Sequence, residues 1–310
     1  MRPLISILVP AYQAEKTIRR CLLSIFNQTN SDFEVIVIDD GSSDQTFSIC
    51  QDFKTDKKFR LYTQSNIGIS ATRKKLLEYA EGEYIQFVDA DDWIEPNTID
   101  VLKTCIESHN PEIVITDFVA VYPQKSEYTL QRPSGFDSTH LISDISSSRM
   151  LGVLWNKLIK KELLAGVVIP KLNYCEDWAV SLQLFEKAKN VHYLNRAFYH
   201  YDNSFIGNSL TRNISKRTFV SRIEYIEYLK SLNFDKKFPI EYNSQVSSIA
   251  YAAIIHGIYT EEEFKIVFSG VSLIRNNIPL YQKFIIILSQ TFSHAFAKSV
   301  DALLRKVFRR

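Results

Sequence analysis

Short apolar runs alternate with helix-period stretches through the first 115 residues, the arrangement of a parallel sheet flanked by helices. Residues 4–9, 33–38, 60–64 and 84–88 read as strands, with 113–116 a fifth. Between the first two, Ile18, Cys21, Leu22, Ile25 and Phe26 recur at helical spacing, and residues 71–80 do the same ahead of the fourth. From about Phe118 the pattern becomes polar, and residues 124–148 read as a long loop with an edge element. Ala179, Leu182, Leu184, Phe185 and Ala188 mark a further helix, and 197–201 a last half-polar strand. Beyond Ser215 only helical periodicity remains.

In open sheets of this kind ligands bind outside the carboxyl ends of the strands. Those positions hold Pro10-Ala11-Tyr12, then Asp39-Asp40-Gly41-Ser42-Ser43-Asp44, then Asp89-Ala90-Asp91-Asp92. The last group crowds three carboxylates at the mouth of an apolar strand, where like charges repel unless a cation sits among them. Hard divalent ions, Mg²⁺ or Mn²⁺, fit carboxylate oxygens and complete their shell with water and phosphate. A turn and helix N-cap, with Pro96 in the first helical turn, is the alternative.

The Asp39-Asp40-Gly41 turn offers carboxylates to a base N–H or a sugar hydroxyl, and an Asx-turn capping a helix from about Gln45 accounts for part of it. Receiver domains also end a strand in paired Asp, but there the pair follows the first strand. Arg73, near the start of its helix, is placed to face an anion. Glu176-Asp177 opens another helix, either as dipole-stabilising acids or with one of them as a general base beside Trp178.

Composition narrows the class. The chain has 310 residues, 45% apolar and 23% charged, with a formal charge of +2. That is globular, and too mildly basic to point to nucleic acid. Cys21, Cys50, Cys105 and Cys175 lack metal-ligand spacing and suit reduced thiols in a cytoplasmic protein. The N-terminus enters a strand at once, and residues 284–288, the longest apolar run elsewhere, fall far short of the roughly 18 needed to span a bilayer.

The segments 9–12 (Val-Pro-Ala-Tyr), 24–29, 33–44, 64–73 and 80–92 together resemble the family 2 glycosyltransferases of the GT-A fold. The resemblance runs through Trp155-Asn156-Lys157-Leu158 and Glu176-Asp177 to about Arg212. It implies a Rossmann-like, mostly parallel sheet flanked by helices. It also implies an inverting, metal-dependent hexosyl- or N-acetylhexosaminyltransferase using a nucleotide-sugar, by family habit a UDP-sugar. Pro10, Tyr12 and Asp40 would hold the base, Asp39 the loop, and Arg73 the base and diphosphate. Asp89 and Asp91 would form the DxD motif, with Asp91 the principal metal ligand and Asp92 a third carboxylate. Asp177 would be the base, and Trp155, Asn156, Glu176, Trp178 and Arg212 would lie on the acceptor side. Lys74 departs from the Asn usual after the arginine. A catalytically silent nucleotide-sugar-binding subunit is the competing class. A nucleotidyltransferase would want a glycine-rich basic loop where Ala11-Tyr12-Gln13-Ala14-Glu15 stands.

The expected organisation is a catalytic domain over 1–215, divided into a nucleotide-binding half (1–117) and an acceptor half (118–215), followed by a helical region over 216–310. Within 281–310, Phe284, Ile287, Leu288, Phe292, Ala295, Leu303, Leu304, Val307 and Phe308 fall on one helical stripe beside Lys283, Lys298, Arg305, Lys306, Arg309 and Arg310. Such a stripe fits an anionic membrane surface, which a lipid-linked acceptor would favour, or else a core helix or homodimer contact. The protein is therefore expected in the cytoplasm, at most peripheral to the membrane.

Overall fold

β1 (Ile5–Ala11) is buried along its whole length, as befits an apolar strand covered on both faces by crossover helices. The computed structural model describes residues 2–172, 174–204, 215–269 and 276–308, without the side chains of 217, 218 and 306–308. From β1 the chain runs through α1 (Ile18–Phe26), β2 (Phe33–Asp39), α2 (Thr46–Gln51), β3 (Phe59–Thr63), α3 (Ile69–Tyr79), β4 (Tyr84–Phe87), β5 (Trp93–Ile94), α4 (Thr98–His109) and β6 (Ile113–Tyr122). Then come β7 (Lys125–Thr129), α5 (Ser138–Ser146), β8 (Lys157–Lys160), α6 (Glu176–Lys187) and β9 (Val191–Asp202).

Strands β3-β2-β1-β4 are parallel, in register from Ile5↔Phe33 to Ala11↔Asp39. Ile18, Cys21, Leu22 and Ile25 of α1 are buried on this sheet as their spacing requires. Beyond β4 the sheet becomes mixed: β8 pairs antiparallel with both β4 and β6, β9 runs parallel to β6, and β5 pairs antiparallel with β9. β7 pairs with β6 as the expected edge element. Because β8 runs antiparallel to β4, its first residue lies beside the carboxyl end of β4, which brings residues 151–156 to the ligand-binding edge.

Several expectations change. Besides the edge element β7, the polar stretch 124–148 holds a helix, α5. The division at 117/118 falls inside β6, so no boundary separates two halves there. Pro96 precedes α4 rather than sitting in its first turn, and Arg73 is the fifth residue of α3.

The chain divides into two compact units, one of Met1–Leu141 with Met150–Gly207 and one of Ile142–Arg149 with Asn208–Arg310. The second contains α7 (Lys216–Ser231), α8 (Phe234–Lys237), α9 (Pro239–His256), α10 (Glu261–Val267), α11 (Leu280–Thr291) and α12 (His294–Phe308). α10 starts on a capping box in which the Glu263 N–H donates to Thr260 Oγ1 and the Thr260 N–H to Glu263 Oε2. The single C-terminal stripe is in fact two helices, broken between Thr291 and His294, that pack on α9 and on each other. Ile285, Ile286 and Ala297 are buried, whereas Phe284, Ile287, Phe292 and Leu303 stay exposed. Val307, Phe308, Lys306, Arg309 and Arg310 of that stripe lie outside the described side chains. Among the described residues no helix is long and apolar enough to cross a membrane.

Candidate active site

The loops after β1 and β2 are built on each other. The Asp40 N–H donates to the Ala11 carbonyl (2.8 Å), the Gln13 N–H to Ser42 Oγ (2.9 Å) and the Ala14 N–H to Thr46 Oγ1 (2.7 Å). Pro10 lies two residues past Leu8, the last residue of β1 paired with β4, where a missing N–H is tolerated. Tyr12 then emerges with 51% of its surface exposed, a ring free to stack on a base.

Asp39 and Asp40 are both buried. Asp39 accepts from the Ser42 N–H (3.3 Å) and Thr63 Oγ1 (3.2 Å). Asp40 Oδ1 accepts from Gln64 Nε2 (2.7 Å) and the Ile67 N–H (3.0 Å), and Oδ2 from the Gly68 N–H (2.9 Å). Its acceptor capacity is thus largely spent on the turn that opens α3. Gly41, at φ +74°, lies under that turn, and a Cβ there would sit 2.7 Å from the Asn66 nitrogen. Asp40→Ala strands two backbone donors and is expected to cost about 2–4 kcal/mol of stability. An unchanged denaturation midpoint would remove Asp40 from this role.

The carboxylate turn separates three adjacent acids by environment. Asp92 is fully buried and accepts from Tyr199 Oη (2.5 Å) and the Asp202 N–H (2.8 Å). This corrects its expected place among the metal ligands, because its oxygens face the core and tie the turn to β9. Burial first, then Asp91 and Asp89, drive its pKa well above the usual carboxylate range. Asp91, by contrast, is exposed. Desolvation there, followed by the charge of Asp89, pushes its carboxyl up to about 6. Among the described residues no group of three or more His, Cys, Asp or Glu is arranged to hold a metal ion. The remaining pair, Asp89 and Asp91, offers oxygen donors only, a set that fits Mg²⁺ or Mn²⁺ with water and diphosphate oxygens supplying the rest.

Arg73 is buried, and corrects the expectation of an arginine open to the diphosphate. Its guanidinium pairs with Glu176 and reaches Asp89 Oδ1 at 3.1 Å, joining α3, the carboxylate turn and α6. Burial opposes its charge, but Glu176 and Asp89 more than offset this and raise its pKa. Glu176 is thereby a structural counter-ion, while its neighbour Asp177 is half-buried and accepts the Trp178 N–H (2.8 Å). Burial, then the charge of Glu176, push Asp177 up to about 7, with Arg73 pulling the other way.

Trp155 and Asn156, expected on the acceptor side, are core residues. Trp155 stacks on Tyr199 (centroids 4.4 Å apart) and Asn156 Nδ2 donates to the Thr116 carbonyl (3.2 Å). Trp178 is half-buried against Gly152, and Arg212 lies outside the described residues. Two residues around the site, Arg20 and Tyr199, carried no sequence signal, and Lys157 was read only as part of the Trp155–Leu158 segment. Lys157 is buried, donating to the carbonyls of Leu151 (3.0 Å) and Val153 (2.6 Å) and to Asn156 Oδ1 (2.8 Å). Burial pushes its ammonium down to about 7, against the pull of Asp177.

A mixed sheet whose strand ends carry two outward carboxylates, with a titratable third acid across a buried arginine, has the form of a glycosyl-transferring enzyme. Residues 6–166 match the family described as Glycosyl transferase family 2, and the chain belongs to that family. The putative glycosyltransferase EpsH of Bacillus subtilis is 30% identical over 73% of this chain and 67% of its own length. The putative teichuronic acid biosynthesis glycosyltransferase TuaG of the same organism is 27% identical over 74% of this chain and 92% of its own. Of other curated relatives the chain spans a smaller part, 30% of one and 64% of another. Crystal structures of S. aureus TarS 1–349 superpose with a TM-score of 0.70 at 19% identity, covering 98% of this chain and 91% of that one, and with 0.66 for the complex with UDP-GlcNAc. At that identity the likeness shows the fold.

Proposed function

We propose that this chain is an inverting glycosyltransferase that moves a hexosyl or N-acetylhexosaminyl group from a UDP-sugar to a hydroxyl of a glycan or lipid-linked acceptor in cell-surface polysaccharide synthesis. The observation that carries the reading is the double pairing of Arg73, which holds donor-side Asp89 and the neighbour of Asp177 on one guanidinium. Through it a carboxylate of the pair suited to a divalent ion is tied to the neighbour of a separate acid whose carboxyl is pushed up to about 7.

In this scheme Tyr12 stacks on the base, and Asp39 and Asp40 keep the turns beneath it in shape. A divalent ion at Asp89 and Asp91 would supply charge neutralisation for the departing diphosphate. Asp177 takes the proton of the acceptor hydroxyl as the new bond forms at the anomeric carbon and the bond to diphosphate breaks on the opposite face. Configuration inverts and no covalent intermediate forms. The relatives' names, EpsH, TuaG and TarS with UDP-GlcNAc, support the substrate class.

The test is incubation with a panel of UDP- and GDP-sugars with Mn²⁺, followed by mass spectrometry of products. Sugar release or transfer from one donor is expected; binding of UDP-sugars without any turnover would favour the silent subunit instead. We also propose a peripheral membrane position through α11 and α12, where Leu280, Tyr281, Phe284 and Ile287 of α11 are exposed and α12 carries the exposed Lys298. The protein should float with phosphatidylglycerol vesicles and not with phosphatidylcholine alone. Failure to float, with a dimeric mass in solution, would assign this face to a second copy.

A further inference from the structure

Arg20 lies in α1 between the buried Ile18 and Cys21. In the fold its guanidinium is held on three sides. One Nη donates to the main-chain carbonyl of Asp91 at 2.5 Å and pairs with Asp202 Oδ2 at 2.6 Å. The guanidinium also lies 4.0 Å over the ring of Trp93, which stacks on His200 with centroids 4.9 Å apart. His200 Nε2 in turn shares a hydrogen bond with Glu95. Asp202 is itself part of the turn's support, since its N–H donates to Asp92.

The turn from Asp89 to Asp92, with Asp202 behind it, gathers four acids. Two guanidiniums bracket them: Arg73 on Asp89, and Arg20 on the Asp91 carbonyl and Asp202. Arg73 serves the base-side end. Arg20 serves the end from which the Asp91 carboxylate projects to solvent. A lysine could supply the charge, but not the planar group that stacks on an indole while one of its nitrogens bonds the Asp91 carbonyl.

We propose that Arg20 is a positioning residue for donor binding: by gripping the Asp91 main chain from α1 it fixes the direction in which that carboxylate meets a divalent ion and the diphosphate. The inference rests on the reading of Asp89 and Asp91 as the ion-binding pair. It concerns this chain's own geometry and needs no contact between Arg20 and the ion. Loss of such an outer support is known to weaken metal sites by about 10–100-fold.

The experiment measures UDP affinity of the full chain by calorimetry, once in Mn²⁺ and once in EDTA, for wild type, Arg20→Met and Arg20→Lys. Mn²⁺ affinity without nucleotide is read in parallel by electron paramagnetic resonance. In wild type Mn²⁺ should strengthen UDP binding. Arg20→Met should lose about tenfold or more of that enhancement while its affinity in EDTA stays near wild type, and Arg20→Lys should show a smaller loss in the same direction. A merely structural role would lower the thermal midpoint and leave the ratio of the two affinities unchanged. A wild-type ratio in Arg20→Lys, or in Arg20→Met if it folds, overturns the inference. Equal affinities in Mn²⁺ and EDTA for wild type itself would instead overturn the ion-binding reading on which it rests.

Discussion

Asp177→Asn is expected to lower turnover by roughly 10²–10⁴-fold while UDP affinity stays near wild type. The amide keeps the size of the side chain and can still accept the Trp178 N–H, but it cannot take a proton. The same substitution should leave the protein at least as stable as wild type at pH 8. The Asp177 carboxyl sits at about 7 in the fold, pushed there by burial and then Glu176, against about 3.9 in an unfolded chain. A pKa raised on folding contributes stability that is complete below the unfolded value and is lost as pH rises through the folded one. An uncharged Asn escapes that loss. If Asp177 served only the dipole of α6, its replacement would cost about 0.3–1 kcal/mol and spare turnover. The wild-type kcat/KM should rise with pH and level off above about 7, since the base works ionised, and this limb should vanish in the variant. Lys157, drawn down to about 7 by burial, faces the same acid and loses an opposing charge in Asp177→Asn, so thermal midpoints are best compared at pH 6 and pH 8. A variant with wild-type turnover would send the search for the base elsewhere.

Asp91→Asn is expected to reduce transfer about 10³-fold or more, since charge stabilisation at the leaving group is worth several kcal/mol. The fold should survive. Asp91 points to solvent, and its carboxyl is pushed up to about 6 by desolvation and then Asp89. The unfolded value is lower, so ionised Asp91 costs stability once pH rises through about 6. Removing that charge should leave the thermal midpoint equal or higher at pH 8 and flatten its change between pH 5 and pH 7. By contrast Asp92→Asn, one residue along, removes a buried acceptor from Tyr199 and the Asp202 amide, and its expected effect is on stability first. EDTA should act on the wild-type enzyme as the Asp91 substitution does. Equal wild-type rates in EDTA and in Mn²⁺ would sink the proposal for this pair.

Much of the fold was legible because its first half is governed by local pattern. Strands covered on both faces must be continuously apolar, so β1, β2 and β4 stand out from their neighbours, and helical spacing in between specifies the crossovers. Once those strands are placed, the residues at their carboxyl ends follow, and Tyr12, the Asp39-Asp40 turn and the Asp89-Asp91 pair do lie at that edge. β8 was not legible. It is four residues long and begins with a lysine, and only three oxygens supplied by the folded chain make that lysine tolerable in the interior. The last helices were misread as one because periodicity continues across Phe292, where the backbone does not.

The amino-acid sequence alone determined the first four strands with their crossovers, the family, and the acidic loops at the carboxyl ends of those strands, all of which depend on residue type and spacing within a few turns of chain. What each carboxylate does was decided by the tertiary structure. Asp91 and Asp92 are identical neighbours, and Tyr199, 107 residues beyond Asp92, turns one inward and leaves the other to solvent. Arg73 meets Glu176 across 103 residues, which converts an apparent anion-binding arginine into a buried bridge and leaves Asp177 as the titratable member of its pair. Burial and charge pairing set a carboxylate's pKa and direction, and both arise only when distant segments close around it.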